Sequence, residues 1–176
     1  MCILYPGTFL LLYTINMRKV LLILIVASLM SGCAHVISRE LREQTDKDLT
    51  AEMLFKDPEA YKGKTVILGG IIIDIFHTDQ GSYVEVLQTP LDDLGHPKDT
   101  DFSYGRFIFL YGEYLDSAIF SKGKEITVGG KVFGKTVRPL GEIEYTYPLI
   151  QAREIHLFGP KRTLPVFFSI GVFSDF

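Results

Sequence analysis

Between residues 65 and 158 apolar and polar positions alternate in five stretches: 65–76, 82–89, 106–115, 125–137 and 144–158. Each is rich in β-branched and aromatic residues, the pattern of half-buried strands. Turn-forming segments separate them: Asp79-Gln80-Gly81, a long loop over 90–105, Ser121-Lys122-Gly123-Lys124, and Pro139-Leu140-Gly141. A short helical turn is expected at 116–120, between the third and fourth strands. Upstream, Asp57 suits an N-cap, Pro58 the first helical position and Gly63 the stop, so one short helix should pack Leu54, Phe55 and Tyr61 against the strands. This order of elements is that of an OB-fold. The predicted fold is therefore mainly β, a small five-stranded OB-like barrel with one or two short helices.

An internal echo supports closure. Residues 63–72 (GKTVILGGII) resemble residues 123–132 (GKEITVGGKV). Val66/Ile126, Leu68/Val128 and Ile72/Val132 are aliphatic in both copies and share one face by the period of two. The double glycine in each copy lets a strand coil sharply, as a small barrel requires. The two copies would be the first and fourth strands, neighbours in such a barrel.

The beginning of the chain follows a different pattern. Arg18 and Lys19 precede an apolar run over 20–29, followed by Met30-Ser31-Gly32-Cys33. A basic start, an apolar centre and small residues before a cysteine make a bacterial lipoprotein signal peptide with its lipobox, although Met30 stands where leucine is usual. A helix of about ten residues crosses only about half of a bilayer's hydrocarbon core, so the run is a poor transmembrane segment. Cleavage between Gly32 and Cys33 would leave Cys33 to carry S-diacylglycerol and an N-acyl chain. The competing readings are an uncleaved anchor and a plain secretory signal with a buried cysteine. Ala34, in place of an aspartate that would favour inner-membrane retention, directs the mature chain to the outer membrane, on its periplasmic face. Residues 1–16 are apolar and uncharged ahead of Met17, the expected true start. The resulting plan is an N-terminal extension (1–16), signal peptide (17–32), lipidated cysteine with polar tether (33–52), barrel domain (53–159) and tail (160–176).

Composition narrows the function. The chain has 18 Lys+Arg and 21 Asp+Glu, and loss of Arg18 and Lys19 with the signal makes the mature form more acidic. That surface argues against nucleic acid, whose phosphates call for clustered basic residues. Of the two cysteines, Cys2 lies in the extension, so the mature chain has no disulfide and Cys33 is open to acylation.

Taken together, the chain resembles the Slp family, the starvation-inducible outer-membrane lipoproteins of Gram-negative bacteria. The resemblance runs through Pro58 to Tyr61, Gly63-Lys64, Leu68-Gly69-Gly70-Ile71-Ile72 and Val86 to Asp92. It continues through Pro97, Gly105-Arg106-Phe107, Tyr114-Leu115-Asp116, Gly123-Lys124, Thr127 to Val132 and Tyr145 to Leu157. It implies a lipid-anchored envelope protein with no assigned catalytic residues and a role in stress physiology. The tail departs from it, and reads as a membrane-hugging segment or a loosely ordered end.

Other candidate sites are weaker. The loop Asp92 to Asp101 offers Asp99 and Asp101 to a hard cation, but lacks the glycine and terminal glutamate of a calcium loop and is read as solvated. His35, His77, His96 and His156 show no ligand spacing. No serine occupies a Gly-x-Ser-x-Gly elbow, and Asp74 and Glu85 are expected to face water. No metal, dissociable cofactor or catalytic residue is therefore assigned. The aromatic residues Phe107, Phe109, Tyr111, Tyr114, Tyr145 and Tyr147 are expected mostly in the core, with some on a barrel face. The leading function is a non-catalytic structural or stress-related envelope lipoprotein. The alternative is a module binding a glycan, a peptidoglycan fragment or a protein partner through an aromatic face.

Overall fold

The computed structural model describes residues 19–22 and 35–159. Five strands, β1 (Thr65–Thr78), β2 (Gly81–Thr89), β3 (Arg106–Tyr111), β4 (Glu125–Leu140) and β5 (Ile143–Leu157), form a closed barrel in the order β1-β2-β3-β5-β4. β3 and β5 run parallel, and the other pairs are antiparallel. This is OB topology, as the element order predicts.

Closure follows from which residues alternate inward. Val66, Leu68, Ile72, Val84, Val86, Phe107, Phe109, Ile126, Val128, Val132 and Ile150 are each no more than 6% exposed and make one core. The two sequence copies pair with each other, with Leu68 opposite Val128, Val66 opposite Gly130 and Gly70 opposite Ile126. Gly70 and Gly130 leave room for adjacent backbone: a Cβ there would overlap the carbonyl oxygens of Leu87 and Gln151. Gly69 and Gly129 receive side chains from outside the repeat, Leu91 and Leu41 occupying the space a Cβ would take.

β3 is shorter than the strand expected over 106–115. Ser82, fully buried, accepts from the Leu115 N–H (2.8 Å) and donates to the Glu113 carbonyl (3.0 Å), drawing 112–115 out of the sheet so that Leu115 enters the core. The helical turn at 116–120 is present, with the Asp116 carbonyl accepting from Ile119 and Phe120. Asp57 caps a 3-10 turn over Pro58–Tyr61, and Gly63 ends the segment at φ 85°.

Residues 35–52, expected as a polar tether, instead fold onto the barrel. They carry α1 (Arg39–Gln44), capped by Ser38, and lead through the Thr50 cap into α2 (Ala51–Lys56), whose Leu54 joins the core. Ile37 and Leu41, each 1% exposed, sit against Gly129. The Val36 N–H donates to the Leu94 carbonyl (3.1 Å), and Ser38 N–H to Glu154 (2.8 Å). Five of the seven charged residues of 39–48 are exposed, Arg42 and Asp46 being half-buried, and Ile37 and Leu41 at i,i+4 spacing supply the fully buried apolar contacts. Cys33, Gly32 and Ala34, with the extension, most of the signal and the tail over 160–176, lie outside the described residues.

Candidate ligand-binding face

β1 with β2, and β4 with β5, extend into hairpin arms that meet on one side of the barrel, over the outer faces of β2, β3 and β5. Phe76 and Tyr83 are cross-strand partners on the first arm, their rings stacked at 5.2 Å and 11°. From the second arm the Arg138 guanidinium lies 4.2 Å over Phe76, a cation–π contact. With Ile108, Thr136 and Leu149 these residues line a shallow cavity of about 180 Å3.

On the same face lies a polar cluster. Arg106 and Glu85 form an ion pair at 2.7 Å, their side chains 30% and 16% exposed. The Glu85 carboxylate holds the Arg106 proton still more firmly than usual. The Tyr147 phenol lies 3.5 Å from Glu85, and burial with the adjacent carboxylate pushes its pKa up. Tyr145 packs edge-on against Tyr147 (4.7 Å) and accepts from the Arg106 N–H (3.0 Å). These polar groups hold one another, which fixes the floor of the face. Aromatic platform, cationic rim and satisfied floor together suit binding of a flat or ring-shaped group bearing negative charge.

The expected sites fare differently. Phe107 and Phe109 are in the core, Tyr111 is half-buried and Tyr114 is 72% exposed, stacking on His77. Tyr145 is half-buried in the cluster, and Tyr147, only 2% exposed, is buried beneath it. Glu85 does not face water, being paired with Arg106, whereas its cross-strand neighbour Asp74 is exposed. In the acidic loop Asp92 accepts from the N–H groups of Leu94 and His96, which lowers its pKa and makes the loop its own ligand. Among the described residues no three His, Cys, Asp or Glu side chains gather as metal ligands. His96 and His156 nonetheless both pack on Phe158, at 5.0 and 4.7 Å, an approach invisible in their spacing. Phe76, Tyr83 and Arg138 were not singled out from sequence. For Phe76 and Tyr83 the signal lies in counting outward from the Asp79-Gln80-Gly81 turn to cross-strand positions, whereas Arg138 comes from the other hairpin.

Residues 30–168 match the family model of the outer membrane lipoprotein Slp family. The chain belongs to that family. An uncharacterized protein of Haemophilus influenzae is 29% identical over 123 residues, which are 69% of this chain and 61% of that protein. The chain thus spans about three fifths of that relative's length. Among solved structures, it is similar to a small single-stranded DNA-binding protein from Streptomyces coelicolor (14% identity, TM-score 0.35, covering 55% of this chain and 94% of that one). A Plasmodium falciparum SSB complex with ssDNA is comparable (15%, TM-score 0.30, 53% and 91%). Neither likeness bears on what this Slp-family chain binds.

Proposed function

We propose that this Slp-family lipoprotein is held at the periplasmic face of the outer membrane by lipid on Cys33, and serves there as a non-catalytic structural or stress-related envelope protein. The docking of residues 35–41 supports this reading: the chain is fixed on the barrel two residues after Cys33, so that an anchor would set the barrel directly at the membrane. Three acyl chains at about 0.8 kcal/mol per buried methylene would make release negligible. Intact mass of the extracted protein should show a chain starting at Cys33 with three acyl groups, and a Cys33→Ser variant should leave the outer-membrane fraction. An unmodified cysteine with the leader still attached would sink the proposal.

A second reading is carried by the Phe76–Tyr83–Arg138 cavity: a module that holds an acidic glycan such as a peptidoglycan fragment, ring against ring, with its carboxylate toward Arg138. Titration with soluble peptidoglycan fragments should give saturable heat that falls about tenfold in affinity for Arg138→Ala, the loss of one desolvated charge-assisted contact. Equal affinity for the variant would remove this reading.

A further inference from the structure

Both ends of the described domain leave the barrel at one pole. At the N-terminal end, His35 lies against Gly95, Val36 bonds to Leu94, and the Thr127 hydroxyl holds the Gly95 carbonyl at 2.7 Å. At the other end Phe158 donates to the Glu125 carbonyl (2.9 Å) and packs on His96. The next residue, Gly159, lines a cleft of about 520 Å3 with Ile71, Lys98, Lys122 and Lys124. Lys124 reaches the Ile119 carbonyl (2.6 Å). Asp99 and Glu125 share the cleft with these three ammonium groups, and Asp92, Asp93 and Asp101 lie on the same loop as Leu94 and Lys98. Leu94 stands out from the pole 41% exposed.

We propose that this pole, bearing Leu94, Lys98 and Lys122, rests on the phospholipid surface, and that the β4–β5 arm points away from it into the periplasm. The inference deepens the Cys33 anchor proposed above and rests on it. From Cys33 to His35 the backbone reaches at most about 7 Å. His35 itself is not on a loose tether, because Ile37 and Leu41 are locked over Gly129. An anchor so short on a segment so firmly docked leaves the barrel little freedom to turn another side to the lipid. The lysines then meet headgroup phosphates, and Leu94 meets the interfacial zone where an apolar side chain loses contact with water. The chain's continuation past Gly159, through Lys161 and Arg162 into an apolar sequence over 164–173, begins at the same surface. From this pole β4 runs sixteen residues to Leu140, a contour of roughly 50 Å at strand rise.

The chain has no tryptophan, so a single introduced one reports alone. Leu94→Trp, Lys122→Trp and, on the arm, Ile143→Trp replace side chains that are exposed. Each full-length lipoprotein, extracted and reconstituted into phosphatidylethanolamine/phosphatidylglycerol vesicles doped with brominated phosphatidylcholine, is read by fluorescence. Tryptophan at 94 and at 122 should lose most of its emission to the brominated lipid, while that at 143 keeps it. Quenching at 143 equal to that at 94, or none at any position in protein that floats with the vesicles and carries lipid by mass, overturns the orientation and leaves the anchor standing. Protein whose mass shows no lipid at Cys33 overturns the anchor, and the orientation with it.

Discussion

Gly130→Ala is expected to destabilise the barrel by about 3 kcal/mol, the upper end of the usual overpacking cost. The new methyl would fall on the Gln151 carbonyl oxygen, within 2.9 Å of the Ala152 Cα. Both are main-chain atoms of β5, so no side-chain rotamer can relieve the overlap. β5 cannot simply step back either, since β3 holds it through the pairs Ile108–Leu149, Phe109–Ile150 and Leu110–Gln151. Gly112→Ala is the matched comparison, because nothing lies within 4 Å of its added methyl and its φ is not positive. There the change should be neutral or slightly stabilising, through a less flexible unfolded chain. Urea unfolding midpoints of the two variants check this. Similar midpoints for both would mean that the double glycine is not what lets β4 and β5 approach.

Phe107→Ala should cost about 3–5 kcal/mol, the range for emptying a fully buried phenyl site. Phe107 is wholly inaccessible within the core, and α2 brings Phe55 edge-on to it at 6.4 Å and 89°. Losing the ring therefore removes core volume and the surface on which α2 seats. The same equilibrium measurement on Tyr114→Ala, a ring 72% exposed, should show a change well under 1 kcal/mol. If the two truncations cost alike, the core is not centred where the packing places it.

The contrast between Phe107 and Tyr114 also marks what could be read from the chain. Strand positions were legible wherever burial imposes a period of two, which is why the 63–72 and 123–132 copies reveal a strand pair before any coordinates. The end of β3 was not legible, because a buried serine about thirty residues upstream ends it by hydrogen bonds that leave no local pattern. Residues 35–52 look like a tether because charge dominates them, while the apolar contacts that dock them come from few positions, Ile37 and Leu41 buried and Leu49 and Ala51 packed against the core. The candidate face was half visible. Tyr145 and Tyr147 announce themselves by composition, but Phe76, Tyr83 and Arg138 meet only through the registers of two separate hairpins, and Glu85 finds Arg106 across a neighbouring strand. The proposed lipidation residues are the reverse case: Gly32, Cys33 and Ala34 would form a purely sequential signal, one that asks nothing of the barrel.

β1 pairs with β4 only as far as Lys131, so beyond it the β4–β5 arm continues as a ribbon of two strands. Exposed edges of that kind invite neighbouring molecules to add strands, and copies of a membrane-bound protein are crowded in two dimensions. Here Glu59 reaches over and takes the Lys135 N–H at 3.0 Å, while Pro139 and Pro148 have no N–H to offer. Val137 and Ile143 can therefore stand exposed on the arm without seeding a sheet between molecules. These features oppose edge-to-edge backbone pairing at those positions, and the arm's apolar side chains remain accessible for contacts made by side chains rather than backbone.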